Sequence, residues 1–263
     1  MQDRSHKRFC RPLPGEDAIA GTQSSKRSHA LQLLLVSALI LLLSGFQTAQ
    51  AQQTEKLVDE SMLSALYSNY GEAAYLRGLH LSQLLERLRR AGTRTKLLEV
   101  NRFFNRFNYR SDAVLWQTRD HWATPLQFLG KHGGDCEDFV ISKYFALRSI
   151  GIKVAQLSII YAKSTDGRKP HLVLAYQDST GSVALILDER SSAVRPATEH
   201  KGLIPVYGFN ESSIFILKPN FMPGQALPTD KVRNSKWARL LAAVRGHQAE
   251  FLIASRLQPK FGG

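Results

Sequence analysis

Cys136 is the residue whose surroundings in this sequence are most suited to chemistry, and it lies in the segment GGDCED at residues 133–138. A helical pattern begins at Asp135, so we expect the thiol in the first turn of a helix, directly after two glycines that let a ligand approach the backbone closely. Helix N-termini lower the pKa of a thiol, and their N–H groups can donate to an oxyanion. The segment therefore suits a nucleophilic cysteine.

Two further polar residues complete a candidate triad. His171 begins a predicted strand and Asp188 ends the next one. Because a short turn joins antiparallel neighbours, we expect these two strand ends to lie close together. The set then contains a nucleophile, a base and a group that orients the base. Each residue alone also has an ordinary interpretation, as a small buried cysteine, a surface histidine or a strand-end cap, but their combination favours catalysis.

Three carboxylates, Asp135, Glu137 and Asp138, surround this thiol. Negative charge disfavours a thiolate, so an unneutralised cluster would oppose a nucleophile that must ionise. A divalent cation would remove the conflict, and calcium takes several oxygen ligands. The helix dipole explains one or two acidic residues at a helix N-terminus, whereas three favour a metal. We therefore predict a Ca²⁺ site here, with backbone carbonyls, water or another side chain completing the shell.

Residues 1–51 have the pattern of an export signal. A basic segment precedes an apolar run at 31–43, which is too short to span a bilayer but suits a signal peptide. The residues Ala49-Gln50-Ala51 supply a small-x-small cleavage pattern. We expect cleavage there, leaving a domain of residues 52–263, with an uncleaved anchor as the alternative. Cleavage would remove Cys10 and leave Cys136 unpaired, so this thiol is either buried or kept for its chemistry.

Composition limits the classes of protein to consider. The 263 residues are 43% hydrophobic and 22% charged, which excludes long disorder and a polytopic membrane protein. The net charge is +13, and it falls to +10 once residues 1–51 are removed. The basic residues are spread along predicted helices rather than clustered with aromatic residues, so we do not expect nucleic-acid binding. An acidic protein partner or an anionic cell surface stays open.

Apolar periodicity predicts an α+β fold. Helices are expected between about 55 and 107, with breaks at Gly71, Gly78 and Gly92. A loop-rich stretch at 108–134 leads into a helix at 135–149. Short β-branched runs then predict an antiparallel meander, at 152–161, 171–176, 183–187 and 214–217, and a basic amphipathic helix follows at about 230–245. The helical N-terminal half should pack on the antiparallel sheet, with Cys136 at the junction.

Taken together, these motifs resemble those of the bacterial transglutaminase-like cysteine proteinases. The segments WATP at 122–125 and GGDCED at 133–138 match in order and spacing, as do His171 and Asp188. The resemblance covers roughly residues 55–220. It implies a papain-like, transglutaminase-like core, a triad of Cys136, His171 and Asp188, and calcium dependence through Asp135, Glu137 and Asp138.

The same resemblance implies a biological role. In this family the protease cuts a large surface adhesin near its N-terminus, at a di-alanine site, and so releases cells from a biofilm. The periplasmic domain of an inner-membrane cyclic-di-GMP receptor sequesters the protease. We therefore expect a periplasmic protein with the adhesin as substrate and the receptor as partner, and without nucleic-acid binding or stable membrane insertion.

A hydrolytic mechanism follows for such a site. His171 would take the proton of Cys136, while Asp188 would fix the tautomer and orientation of the imidazole. The oxyanion would be stabilised by the backbone N–H of Cys136 and a second donor. We assign the second donor to the indole of Trp122, with core packing as the alternative role of that ring.

Two other functions fit the same residues. If a lysine amine outcompetes water, the site becomes that of a protein-crosslinking transglutaminase. If the thiol is only structural, the protein is a non-catalytic calcium-dependent binding module. Conjugates of higher mass would indicate the first function, and an unreactive Cys136 would indicate the second.

Overall fold

The computed structural model describes residues 56–257 except 166, 168–169, 180 and 228–235. The expected signal segment, 1–51, lies outside the described residues. Among the helices that are described, none is long and apolar enough to cross a bilayer.

The N-terminal part of the described chain is helical, as predicted. Over the whole described chain there are seven α-helices, namely α1 Glu60–Tyr70, α2 Glu72–Leu88, α3 Thr93–Phe104, α4 Asp112–Leu115, α5 Pro125–Lys131, α6 Cys136–Ser149 and, near the C-terminus, α7 Lys236–Leu257. Gly71 and Gly92 lie at helix ends. The predicted break at Gly78 is wrong, because this residue lies inside α2, where a Cβ would overlap the side chain of Leu66. Gly78 therefore allows α1 and α2 to pack closely.

The second half contains an antiparallel sheet of seven strands. They are β3 Leu157–Ser164, β4 His171–Tyr176, β5 Leu185–Leu187, β6 Arg195–Pro196, β7 Leu203–Phe209, β8 Ile214–Leu217 and β9 Pro223–Ala226. Their order in the sheet is β6-β5-β4-β3-β7-β8-β9. A separate parallel pair joins β1 Asn108–Tyr109 to β2 Gly133–Gly134. The α+β class and the antiparallel sheet are confirmed, although the sheet is larger than the predicted meander.

The central strands of the sheet carry buried residues on both faces, and α6 packs against β3 and β4. Successive residues of a strand point to opposite faces. On β3, Leu157 and Ile159 belong to the core shared with the helices, whereas Ile160 and Ala162 belong to a second apolar cluster. The helix that begins with Cys136 therefore packs both against the other helices and against the strand that begins with His171.

Candidate active site

The start of α6 holds the thiol at a fixed position. Asp135 is the N-cap and Cys136 is the first helical residue. Directly before them, Gly133 pairs with Asn108 in the parallel β1–β2 ladder. Gly133 has a φ of +145°, and a Cβ there would overlap the carbonyl oxygen of Asn108. Glycine is thus required for this close approach, and the pairing determines where the helix begins.

His171 and Asp188 are in direct contact. The imidazole Nε2 of His171 donates to Asp188 Oδ1 at 2.9 Å, and both side chains are buried. Glu189 Oε2 lies 3.1 Å from the same nitrogen. Asp188 also accepts the backbone N–H of Arg190 at 3.0 Å. The predicted pairing of the two strand ends is therefore correct, and the structure adds a second carboxylate, Glu189, that the sequence analysis missed.

The carboxylates control the protonation of the imidazole. Burial opposes a charged His171, but the hydrogen bond with Asp188 and the proximity of Glu189 outweigh this and raise the pKa of His171 to about 8. Burial likewise opposes a charged Asp188, but the His171 hydrogen bond holds the pKa of this carboxyl well below its usual value. With Nε2 engaged by Asp188, Nδ1 is the imidazole nitrogen that can act as a base toward the thiol.

The thiol of Cys136 lies next to the strand that begins with His171. The backbone N–H of Leu172, the following residue, is near enough to the sulfur to favour the thiolate and so to lower the pKa of the thiol. The thiol itself donates to Glu137 Oε2 at 3.0 Å. Burial and the charge of Glu137 raise the pKa of Cys136. The conflict expected from the sequence, between the thiol and its acidic neighbours, is therefore present in the structure.

The acidic residues near the thiol form two overlapping groups. Ligand oxygens of Asp112, Asp135 and Asp138 lie within 4.8 Å of one another, and so do those of Asp112, Asp120 and Glu137. The three predicted metal ligands thus meet two carboxylates that the sequence analysis missed. Asp112 begins the short helix α4 and Asp120 follows it, in a stretch before α5 where no spacing pattern links them to α6. Only the fold of that stretch brings them there.

The donor set fits a hard divalent cation. Asp112 Oδ1 and Asp135 Oδ1 are buried without a hydrogen-bond partner among the described residues. Burial and neighbouring charges raise the pKa of Asp135 to about 9 and that of Asp138 to about 8. Backbone N–H groups of His121 and Ala123 orient Asp112 and Asp138, respectively. Crowded, oriented carboxylates with free oxygens are what calcium takes as ligands. Lys236 of α7 forms an ion pair with Asp120, so this residue is not free.

Trp122 has a packing role in the structure. Its ring stacks on Phe209 with centroids 5.9 Å apart and borders the core. In the described part of the chain, its indole N–H forms no hydrogen bond with Cys136 or His171. The packing alternative from the sequence analysis therefore has a structural basis, and the oxyanion role of the indole stays a prediction.

Two asparagines, Asn101 of α3 and Asn105 directly after it, hold the loop after β5 in place. Asn105 Nδ2 donates to the carbonyl oxygens of Asp188, at 2.8 Å, and Ser191, at 2.9 Å. Asn101 Nδ2 donates to Ser191 at 2.8 Å. Loops carry catalytic groups only as accurately as their supports allow. The helical half of the domain thus positions the carboxylate that orients His171.

Comparisons with known proteins agree with this geometry. Residues 83–201 match the family model for the bacterial transglutaminase-like cysteine proteinases. The fold is similar to that of Legionella pneumophila LapG, with 30% identity and a TM-score of 0.61 over 72% of this chain and 98% of that one. EGTA-treated LapG gives 30% identity and a TM-score of 0.63, and calcium-bound LapG gives 31% and 0.61. The comparison with curated proteins found no match.

The matched stretch contains every residue of the candidate site from Asp112 to Glu189. The structural likeness extends the match over almost the whole length of LapG at an identity that indicates common ancestry. The protein belongs to the bacterial transglutaminase-like cysteine proteinases.

Proposed function

We propose that this protein is a calcium-dependent periplasmic cysteine endopeptidase that cleaves a large surface adhesin near its N-terminus. The observation that carries the catalytic part is the buried hydrogen bond between His171 and Asp188, at the start of the strand against which the Cys136 helix packs. A base oriented by a carboxylate next to a thiol at a helix N-terminus suits acyl transfer. Membership of a cysteine proteinase family makes peptide hydrolysis the reaction that fits best.

The steps follow from the contacts of each residue. Nδ1 of His171 takes the proton of Cys136, and Asp188 and Glu189 stabilise the imidazolium that forms. The sulfur attacks the scissile carbonyl, and the backbone N–H of Cys136 donates to the oxyanion. His171 returns its proton to the leaving amine, which leaves an acyl-enzyme. His171 then takes a proton from water, and hydroxide attack releases the acid and the thiol.

Calcium is proposed as the resident cation of the carboxylate group beside the thiol. Asp112, Asp135, Glu137 and Asp138 would hold it, and LapG has been solved in calcium-bound and EGTA-treated forms. The bound cation would supply positive charge beside the thiol and so offset Glu137. Without it, this region contains several buried carboxylates that have no counter-charge.

The substrate, the partner and the location come from the resemblance to the family. The proposed substrate is a surface adhesin with a di-alanine cleavage site, and its release would promote biofilm dispersal. The proposed regulator is the periplasmic domain of an inner-membrane cyclic-di-GMP receptor. The basic run, the apolar run and the small-x-small pattern of residues 1–51 support export to the periplasm.

A cleavage assay tests this proposal. The purified chain from residue 52 is mixed with an N-terminal fragment of the host's largest surface adhesin, in calcium or in a chelator, beside Cys136→Ala. Discrete fragments from the wild type in calcium alone are expected. Fragments that also form in the chelator would show that cleavage does not need calcium. Conjugates of higher mass would show that the enzyme transfers the acyl group to an amine rather than to water. Fragments from Cys136→Ala would reject the assigned nucleophile.

A further inference from the structure

Lys143 is a buried lysine that the mechanism above does not use. It lies in α6, and its side chain has an exposed fraction of 0%. Its Nζ has no hydrogen-bond partner in the part of the chain that the structure describes. A cation–π contact with the ring of Phe139, at 5.8 Å, is a weak substitute for hydration. A buried ammonium is costly unless opposite charge compensates for it, so its location needs a cause.

Lys143 lies on the same helix as Cys136, and this helix packs against the strand that begins with His171. Lys143 follows Cys136 by seven residues, which is two helical turns, so both lie on the same face of α6. This helix packs against β4, which begins with His171. The charges that act on Lys143 are those of Glu189 and Asp188. The ammonium is therefore buried within electrostatic reach of both carboxylates beside His171.

The charge balance around His171 requires another cation. Asp188 and Glu189 both lie within 3.1 Å of one imidazole nitrogen, and both are buried. A protonated His171 neutralises only one of them. Glu189 Oε2 accepts no hydrogen bond from any described residue. Arg190 approaches the other oxygen of Glu189, at 3.4 Å, but its side chain is 47% exposed, so solvent weakens its contribution.

We propose that Lys143 is the buried counter-ion of the Asp188–Glu189 pair and, through these carboxylates, a positioning residue for His171. Its positive charge offsets the negative charge that the two buried side chains place beside His171. The catalytic consequence rests on the proposed protease function, whereas the charge balance is a property of the folded protein and can be tested without a substrate.

Several titratable groups besides Lys143 lie near this cluster on the surrounding elements. They are Cys136 at the start of α6, Tyr109 of β1, Arg190 beside Glu189, and His200 after the 3₁₀ turn at Ala197–Glu199. Burial lowers the pKa of Lys143, whereas the charges of Glu189 and Asp188 raise it and so favour the ammonium form. Removing its charge would let Asp188 and Glu189 attract the imidazolium more strongly. The pKa of His171 would then rise, while neutralising Glu189 would lower it.

A charge-compensation experiment tests the proposal. Lys143→Met, Glu189→Gln and the double variant are prepared, with Lys153→Met as the control, because Lys153 is exposed. NMR titration of labelled histidines gives the midpoint of His171, and thermal unfolding gives Tm. In Lys143→Met we expect the midpoint to rise by about one pH unit and Tm to fall by roughly 10 °C. The double variant should recover most of both changes, and the control should show neither.

Recovery of Tm and of the His171 midpoint on adding Glu189→Gln distinguishes a role of the Lys143 charge from a role of its side-chain volume. If Lys143 only fills space, the double variant stays as destabilised as Lys143→Met and the His171 midpoint does not move, which would overturn the proposal. If Lys143→Met fails to fold, a folded double variant supports the proposal and an unfolded one contradicts it. With an active enzyme, the alkaline limit of kcat/KM should follow the His171 midpoint. An inactive wild type would refute the proteolysis without changing the NMR or Tm results.

Discussion

At the scale of single residues, the site combines a thiol that is disfavoured as an anion with a base that is favoured as a cation. Glu137 and burial raise the pKa of Cys136, whereas Asp188 and Glu189 raise the pKa of His171. Proton transfer from the thiol to the imidazole moves charge toward the paired carboxylates. The protein itself thus supplies the carboxylates that favour a protonated His171. Beside the thiol, in contrast, lie carboxylates that are suited to binding a cation.

Stability should depend on pH through His171. Its pKa of about 8 lies above the value of about 6.5 for an unfolded chain. The stabilisation is therefore fully present below pH 6.5 and is lost as the pH rises through 8. In a Cys136→Ala background, His171→Gln should reduce the free energy of unfolding by about 2 kcal/mol more at pH 6 than at pH 9. Urea unfolding at both values measures this. A difference that is constant, or larger at pH 9, would contradict the assignment.

Asp112 should be a calcium ligand that the sequence pattern does not show. Asp112→Asn removes one charge from the carboxylate group but keeps an acceptor for the backbone N–H of His121. We expect calcium affinity to fall by at least about tenfold, because ligand charge sets affinity at such sites. In a chelator the variant should be at least as stable as the wild type, since repulsion is reduced. Calorimetric titration with calcium measures the first effect, with the exposed Asp178→Asn as control. Unchanged affinity would remove Asp112 from the site.

At the scale of elements, the residues that carry chemistry lie where helices and strands begin or end. Cys136 begins α6, His171 begins β4, and Asp188 follows β5. Local patterns locate such boundaries, so these three residues were identifiable from the sequence. Glu189, Asp112 and Asp120 were missed because only tertiary packing brings them to the site. β7 was missed because Pro205 and Gly208 interrupt its β pattern, although it lies between β3 and β8.

Gly133 should be essential for the geometry of the α6 start. Gly133→Ala places a Cβ against the carbonyl oxygen of Asn108 and strains a positive φ. We expect a loss of roughly 2–4 kcal/mol in the free energy of unfolding and a larger loss of activity, because the thiol moves with the strand pair. Gly92→Ala is the matched control, since Gly92 has extended backbone and open space around its Cα. Equal effects of the two substitutions on unfolding would refute this role of Gly133.

At the scale of the whole domain, two apolar clusters sandwich the sheet, and the C-terminal helix joins the first of them. Trp237 at the start of α7 contacts Tyr144 and Phe145 of α6 and Phe209 of β7. Its indole N–H donates to the carbonyl of Asn210 at 3.1 Å. The sequence predicted a basic amphipathic helix here, and the described part runs from Lys236 to Leu257. Periodicity could not show that one aromatic residue joins this helix to α6.

Trp237 should therefore contribute strongly to stability. Trp237→Ala removes a buried ring from contact with α6 and leaves the carbonyl of Asn210 without that donor. A large-to-small change at such a site costs about 3–5 kcal/mol. Urea unfolding measures the loss, with Arg239→Ala on the exposed side of the same helix as control. If the two variants unfold at the same urea concentration, α7 does not stabilise the domain through Trp237.

The central claim is that Cys136 is a nucleophile whose base, His171, is oriented by Asp188. Intact-mass measurement of trapping by an epoxysuccinyl inhibitor, which alkylates active-site thiols, tests this without knowledge of the substrate. The wild type in calcium should form one adduct on Cys136. Asp188→Asn should slow trapping by at least about a hundredfold, since the imidazole loses its tautomer and orientation, and Cys136→Ala should form no adduct. A wild type that does not react, or an Asp188→Asn variant that reacts at the wild-type rate, would contradict the account.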